Sequence, residues 1–335
     1  MKKLLLVLLG VIFGFLIFFV GFEFYLRMTG HFELQRFYNA ADTEHGFTQH
    51  MRSDKRKRFR PSPYPGLGWE LDPLYPPLNA HDRFIDQKIR KDKGVYRIIA
   101  IGDSVTQQGY YEKFLEEMLN DSNLGRKFEI WNCGVGAYHI TQYYYYLKHK
   151  GIRFNPDMII VGFTIGDIGQ NPVILMTKDG YKAFYNPFTY IDVTLNRYLF
   201  LRSRTYRYLV YNLEKILKIK RSEQIPYVIF NDLIDLARSK DIKILVLIFP
   251  YLKNRYNDWE LNQYNSIRAI VKEANVPYVD LHNSFDNRDL PTLRDDPQDY
   301  VHPSEEAFKI MALDIYNFLM NNFDFNKMNW EERIN

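Results

Sequence analysis

Short runs rich in valine and isoleucine alternate with segments of helical pattern, and this alternation constrains the fold more than any other feature of the sequence. Strands are predicted over Arg97–Ile101, Phe128–Asn132, Met158–Phe163, Ile242–Phe249 and Tyr278–Leu281. Helices are predicted over Tyr110–Leu119, Ile140–His149, Tyr227–Ser239, Glu260–Ala274 and Ser304–Asn321. Apolar strands of this length are typical of sheets covered on both faces, and strand–helix alternation favours parallel pairing. The sequence therefore predicts a parallel sheet sandwiched between helices.

The first predicted strand ends in Gly102-Asp103-Ser104, directly before a helical segment. This places the Ser104 hydroxyl at the carboxyl end of a parallel strand, where open α/β sheets bind their ligands. The N–H groups at the start of the following helix are suited to stabilising an anion there. Asp103 is expected to hydrogen-bond locally and shape the turn.

Asp299 and His302 stand three residues apart just before the last predicted helix. A serine hydroxyl is a poor nucleophile until a base accepts its proton, and an imidazole that titrates near neutrality is suited to that task. Asp299 would hydrogen-bond the other ring nitrogen and fix the orientation of the ring. Together, Ser104, His302 and Asp299 predict an enzyme that cleaves esters or transfers acyl groups.

These residues resemble the first and last sequence blocks of the SGNH (GDSL) hydrolase family. Asn132–Tyr138 resembles the second block, and Gly162–Asp167 resembles the third, which normally reads Gly-x-Asn-Asp. The likeness spans residues 96–320. It implies a three-layer α/β/α, flavodoxin-like fold with about five parallel strands and an acyl-enzyme on Ser104.

The resemblance also implies an oxyanion hole of backbone N–H groups. Ser104 would supply one, and the second block would supply another from Gly136 or Ala137, depending on the register. In the third block Gly166 stands where the family has its asparagine. Losing one such donor typically lowers turnover by about 100- to 1000-fold. Thr164 and Asn171 are candidate replacements, and the alternative is that the third donor is absent.

The N-terminal segment predicts a membrane anchor at residues 1–27. Lys2-Lys3 precedes an apolar stretch, Leu4–Phe22, of membrane-spanning length. No small-x-small cleavage site follows, so an uncleaved signal anchor with an extracytoplasmic catalytic domain is expected. The basic run Arg52–Arg60 is either a solvated linker or a contact for anionic lipid head groups or an acidic polymer.

Three further regions are predicted. Residues 28–95 form a proline-rich lead-in that wraps the domain surface, and residues 96–325 form the hydrolase domain. Residues 172–225 interrupt the strand–helix alternation with an aromatic and basic insertion. This insertion is either a lid or substrate platform over the active-site edge, or helical packing on the flank of the sheet.

Composition and motifs exclude several function classes. The 335 residues are 46% hydrophobic, which provides one large core, and the net charge of +4 is too small to indicate a nucleic-acid partner. No metal-ligand spacing, P-loop or dinucleotide fingerprint is present, so no cofactor is expected. The only cysteine, Cys133, is expected to be a small core residue.

The resulting prediction is a serine esterase or O-acyltransferase that acts on an ester-bearing small molecule, lipid or polysaccharide. The resemblance implies acyl groups of envelope polysaccharide or lipid as the substrate. The alternative is a catalytically silent protein of the same fold that binds a glycan or lipid, and Gly166 is the feature that favours it.

Overall fold

The structure, a computed structural model, describes residues 2–32, 35–36, 59–64, 66–67, 69–71, 90–168, 173–177, 180–184, 199, 202–216, 221–286 and 288–325. The α-helices in these ranges are α1 (Lys2–Met28), α2 (Ser104–Gln107), α3 (Tyr110–Asp121), α4 (Ile140–His149), α5 (Arg204–Ile216), α6 (Arg221–Ser239), α7 (Asp258–Glu273) and α8 (Glu305–Asn322). The strands are β1 (Gln35–Arg36), β2 (Phe59–Pro61), β3 (Trp69–Leu71), β4 (Val95–Ile101), β5 (Lys127–Asn132), β6 (Met158–Phe163), β7 (Val173–Thr177), β8 (Gly180–Phe184), β9 (Lys243–Ile248) and β10 (Tyr278–Asp280). Asn171 and most of the basic run Arg52–Arg60 lie outside the described residues.

The chain divides into two compact units. One comprises residues 1–47 and 170–224, and the other comprises residues 48–169 and 225–335. We refer to them as the anchor unit and the sheet unit, after the predicted membrane segment of the first and the parallel sheet of the second.

The sheet unit contains a five-stranded sheet with the order β10-β9-β6-β4-β5. All four neighbouring pairs are parallel, and β4 lies between β5 and β6 with Ile98 opposite both Ile130 and Met158. The predicted strands are confirmed, with small shifts at their ends. Every residue of β4 and of β6 is buried, as expected for strands covered on both faces.

Helices cover this sheet, and the five predicted ones are confirmed. On one face, α3 and α8 pack together over a core that includes Ile98 and Ala100 of β4. Helix α8 begins as predicted, because the Ser304 hydroxyl accepts a hydrogen bond from the Ala307 N–H at 3.3 Å. The apolar side chains Phe308, Met311, Ala312, Ile315 and Leu319 of α8 are buried on this face, and Phe318 is partly buried. The structure is the predicted parallel α/β fold.

The described part of the lead-in forms a small antiparallel ribbon, β2–β3, whose strands are three residues long. Strand β2 ends at Pro61, which has no backbone N–H to donate to a further ladder bond. The ribbon packs on the end of α4: Leu67 is fully buried, and the Glu70 carboxylate pairs with the Lys150 ammonium at 3.0 Å.

In the anchor unit, β1, β8 and β7 form an antiparallel sheet in that order. Strands β7 and β8, together with α5, lie in the predicted insertion. Helix α1 contains the one described segment that is long and apolar enough to cross a membrane, Leu5–Met28, with a mean hydropathy of 3.0. The same length and composition also fit a signal sequence.

Candidate active site

Ser104 lies where the sequence predicts it, at the start of α2 and directly after β4. Asp103 caps this short helix, because its Oδ1 accepts a hydrogen bond from the Val105 N–H at 2.9 Å. The local, turn-shaping role predicted for Asp103 is therefore confirmed. The turn is also tight: a side chain at Gly102 would overlap the Thr106 hydroxyl, so only glycine fits between β4 and α2.

The loop before α8 brings His302 and Asp299 to Ser104. The Ser104 hydroxyl lies 2.8 Å from His302 Nε2, and His302 Nδ1 lies 2.6 Å from Asp299 Oδ2. Asp299 Oδ1 accepts hydrogen bonds from the backbone N–H groups of Val301 and His302 at 2.9 and 3.3 Å. The loop is tied to the sheet as well, because the Leu252 N–H after β9 donates to the Tyr300 carbonyl at 2.7 Å. The spacing of three residues thus lets one loop place both side chains.

Electrostatics in this group favour a charged carboxylate beside a basic imidazole. Burial lowers the pKa of His302, but the hydrogen bond and negative charge of Asp299 outweigh burial and hold it above its ordinary value. Burial raises the pKa of Asp299, and the contacts with His302 outweigh it and hold that pKa below its ordinary value. Because the two groups stabilise each other's charged forms, His302 is a stronger base than a free imidazole.

The second block is fastened to α2. The Asn132 side chain at the end of β5 donates to the Thr106 carbonyl at 2.7 Å and accepts from the Gly134 N–H at 2.8 Å. The loop runs so close to α2 that a side chain at Gly134 would overlap the Gln107 backbone nitrogen. These contacts fix the loop beside Ser104.

The two candidate donors in the second block differ. The Gly136 N–H already donates to the Gln107 side-chain oxygen at 2.6 Å. Ala137 has a φ of +62°, in the left-handed region that favours glycine. Across the described part of the chain, neither the Ala137 N–H nor the Ser104 N–H has a hydrogen-bond acceptor. Of the two candidates, Ala137 is therefore the one whose N–H is not already bonded within the described residues.

The third block follows β6 and differs from the family pattern, which has an asparagine at the position of Gly166. Gly166 has a φ of +114° and no side chain to offer as a donor. Thr164 does not replace it, because its hydroxyl is buried and bonds to Asp103 Oδ2 at 2.8 Å and to Asp167 Oδ1 at 3.2 Å. A side chain at Gly166 would meet Trp259 Cη2 at 3.6 Å and Tyr251 Oη at 4.0 Å. The space for an asparagine side chain is thus bordered by these two aromatic residues.

Comparison with known families identifies the fold and its chemistry. The sequence model of the GDSL-like Lipase/Acylhydrolase family matches residues 100–310, which include all the blocks described above. The chain belongs to this family. As a GDSL-like acylhydrolase, it is an ester-hydrolysing enzyme.

Several solved structures are similar to this chain. An acetylxylan esterase, Axe2, from Geobacillus stearothermophilus is 14% identical, with a TM-score of 0.45 over 70% of this chain and 97% of that one. A putative acylhydrolase from Bacteroides fragilis is 16% identical, with a TM-score of 0.41 over 69% and 89%. TesA is 12% identical, with a TM-score of 0.43 over 67% and 98%. A comparison with curated protein sequences gives no match.

Sequence reasoning missed two groups that hold this GDSL-like site together. One is Gln107, which bonds the second block through Gly136. The other is Tyr143 of α4, whose hydroxyl donates to Asp167 Oδ2 at 2.7 Å and so connects α4 to the third block. Neither has a sequence signal, because each contact joins residues that are distant in the chain and ordinary in their own elements.

Two other side chains near the site, Cys133 and His139, are uncharged near pH 7. Cys133 is buried, and burial raises its pKa to about 12, so it is the predicted core residue and not a nucleophile. Burial lowers the pKa of His139 to about 4, so this ring is neutral near pH 7. Among the described residues, no cluster of histidine, cysteine and acidic side chains could hold a metal ion.

Proposed function

We propose that this GDSL-like enzyme is a membrane-anchored serine acylhydrolase or O-acyltransferase that works through an acyl-enzyme on Ser104. The observation that carries the proposal is the continuous hydrogen-bonded chain from the Ser104 hydroxyl through His302 to Asp299. This chain supplies the nucleophile, base and orienting carboxylate that cleavage of an ester requires.

In the first half-reaction, His302 Nε2 removes the Ser104 proton as Ser104 Oγ attacks the ester carbonyl carbon. The negative charge that forms on the carbonyl oxygen is stabilised by the backbone N–H groups of Ser104 and Ala137. The C–O bond to the leaving alcohol then breaks, and His302 returns the proton to that alcohol. Asp299 stays ionised and stabilises the imidazolium throughout.

In the second half-reaction, an incoming hydroxyl group attacks the acyl-enzyme, with His302 again acting as base. Water gives hydrolysis and an alcohol gives acyl transfer, so the same residues serve both reactions. Gly166 provides no third side-chain donor. We therefore expect turnover to be lower, by about 100-fold or more, than in a site that has three oxyanion donors.

A catalytically silent glycan- or lipid-binding protein is the second candidate, and Gly166 is the observation that favours it. The hydrogen bonds among Ser104, His302 and Asp299 weigh against it, because a binding cleft does not need an activated hydroxyl.

Contacts at the end of α1 support a retained membrane anchor over a cleaved signal. The Glu23 carboxylate accepts hydrogen bonds from the Ser203 hydroxyl at 3.0 Å and from the Arg204 and Thr205 N–H groups at 3.1 and 2.8 Å. The Arg204 guanidinium donates to the Leu26 carbonyl at 2.9 Å, and Leu26 is buried. Removal of α1 would leave the first turn of α5 without its cap.

The proposed membrane anchor also indicates where the enzyme acts and which esters are close to it. Lys2 and Lys3 favour a cytoplasmic N-terminus, which places the enzyme outside the cytoplasm. An enzyme tethered there has acyl groups of envelope polysaccharide or lipid as its nearest ester substrates.

The test is labelling of the full-length protein in detergent with a fluorophosphonate, which reacts with activated serines. Wild type should label, Ser104→Ala and His302→Ala should not, and Ser266→Ala, which removes an exposed hydroxyl on α7, should label like wild type. Absence of labelling in a folded wild-type protein would reject the enzyme in favour of the binding protein. Adding glycan or alcohol acceptors to an acyl donor and following products by mass spectrometry separates transfer from hydrolysis.

A further inference from the structure

Two buried carboxyl groups share one hydroxyl group behind the nucleophile. The Thr164 hydroxyl lies 2.8 Å from Asp103 Oδ2 and 3.2 Å from Asp167 Oδ1. All three side chains are buried, with at most 6% of each residue exposed. A threonine hydroxyl has one hydrogen and can donate to only one of the two oxygens. If both carboxyl groups were ionised, the other contact would be a buried repulsion between lone pairs.

The contacts decide where the extra proton lies. Asp103 has a donor for each oxygen, the Val105 N–H on Oδ1 and the Thr164 O–H on Oδ2. On Asp167, the Thr164 N–H and the Tyr143 O–H both donate to Oδ2, each at 2.7 Å. Asp167 Oδ1 therefore faces Thr164 alone within the described residues. The shorter of the two threonine contacts is the one to Asp103, as expected for donation to a charged acceptor.

We propose that Asp167 is a neutral carboxylic acid that donates a hydrogen bond to the Thr164 hydroxyl, which in turn donates to an ionised Asp103. In this arrangement every polar atom of the three side chains has a complementary partner. Thr164 and Asp167 are then positioning residues for Ser104, since they act through the aspartate that caps the nucleophile turn. This second part rests on the proposed function, whereas the protonation of Asp167 does not.

Electrostatics agree with the assignment. Burial raises the pKa of Asp167, and the negative charge of Asp103 raises it further, well above its ordinary value. Burial also raises the pKa of Asp103 above its ordinary value, but the Val105 N–H, the Thr164 hydroxyl and the charge of His302 counteract part of this increase, so Asp167 is the more readily protonated of the two. Among the described residues, no lysine or arginine forms an ion pair with Asp167. The groups that face Asp167 are Asp103, Thr164, Tyr143 and, at longer range, Tyr251.

In this arrangement the ionised Asp103 gives the turn that carries Ser104 a permanent negative charge. An ionised Asp103 raises the pKa of His302, in addition to the larger effect of Asp299. Because Thr164 follows β6 and Asp103 follows β4, the three residues also connect the turn that carries Ser104 to the neighbouring strand of the sheet.

Infrared spectroscopy of the full-length protein tests the protonation directly. A buried carboxylic acid has a carbonyl stretch separate from the amide bands, and the band shifts in D2O. We expect wild type at pH 7 to show this band, Asp103→Asn to retain it and Asp167→Asn to lose it. Absence of the band in wild type, or its loss only in Asp103→Asn, would overturn the proposal. This readout does not require catalysis, so it stands apart from any failure of the proposed function.

Kinetics test the positioning role. The amide introduced by Asp167→Asn would donate a hydrogen bond as the neutral acid does, so this variant should keep more of kcat/KM than Asp103→Asn. Thr164→Val removes the shared hydroxyl and should lower kcat by roughly 10-fold or more, and Thr164→Ser should restore it. Circular dichroism establishes that each variant is folded. The positioning role would be refuted if Thr164→Val and Thr164→Ser lowered kcat equally. It would also be refuted if Asp167→Asn lowered kcat/KM more than Asp103→Asn.

Discussion

Among the described residues, two α-helices begin on a carboxylate, and the two carboxylates come from very different distances along the chain. In the sheet unit, Asp103 caps α2 from the adjacent residue. In the anchor unit, Glu23 caps α5 from 181 residues earlier in the sequence. The physical device is the same, a carboxylate that accepts hydrogen bonds from the free N–H groups at a helix start. Only the first is visible in the sequence, since its parts lie side by side.

The two units also differ in the roles proposed for their residues. The groups proposed for catalysis belong to the sheet unit and sit on loops that follow parallel strands or precede a helix. The anchor unit is built from the apolar helix and the insertion, joined by contacts that are far apart in the chain. Variants in the sheet unit should therefore change activity and leave the anchor unit stable, and variants in the anchor unit should do the reverse. Four predictions sharpen that contrast.

The largest effect is expected from Asp299→Asn. The substitution removes the carboxylate that orients His302, and it should lower kcat by about 10,000-fold, the effect typical of this change in a serine–histidine–aspartate triad. The measurement is the pH profile of kcat/KM with an activated ester. A variant within 10-fold of wild type would exclude Asp299 as the orienting group.

The acid limb of this pH profile of kcat/KM should also shift in a defined direction. His302 acts as a base only when neutral, and Asp299 holds its pKa above the ordinary value. In wild type, activity should therefore fall on the acid side at a higher pH than for an ordinary imidazole. In Asp299→Asn the largest raising influence on the pKa of His302 is gone while burial still lowers that pKa, so the residual activity should persist to lower pH. An acid limb that moved upward would contradict this account.

A smaller effect is expected from Gly166→Ala. A φ of +114° is a conformation that side chains rarely adopt, so the substitution should destabilise the fold by about 1–3 kcal/mol although space for a methyl group exists. Denaturant unfolding measures this cost. Gly125→Ala, at a φ of +72° with no neighbour within 4 Å, is the matched control for a positive φ without the site. A variant as stable as wild type would mean that the third block relaxes freely, and then Gly166→Asn should raise turnover.

The contrast between near and distant contacts explains what the sequence predicts. The five parallel strands follow from local apolar runs, and the pairing of Asp299 with His302 follows from a spacing of three residues. The lid-or-packing alternatives for residues 172–225 could not include the contact with α1, because nothing near Ser203 in the sequence points to Glu23. The open choice among Thr164, Asn171 and an absent third donor has the same cause: the sequence does not show that the Thr164 hydroxyl bonds to Asp103, 61 residues earlier. Hydrophobic periodicity predicts whether a segment is a helix or a strand and which face is buried. It does not predict which distant side chain will hydrogen-bond to that segment.

The smallest effect is expected from Glu23→Ala, and it should be confined to the anchor unit. Without the carboxylate, the Arg204 and Thr205 N–H groups lose their acceptor, which should cost about 1 kcal/mol of local stability. Hydrogen exchange of α5 in the full-length protein should speed up roughly fivefold, while exchange in β4 and β6 and fluorophosphonate labelling of Ser104 stay at the wild-type level. Glu23→Gln keeps a side-chain acceptor and should lie between alanine and wild type. Unchanged exchange in α5 would show that Glu23 is not its cap, and altered labelling would show that the two units are coupled. The expected outcome is that a distant carboxylate holds the anchor unit together and the residues beside Ser104 perform the chemistry without it.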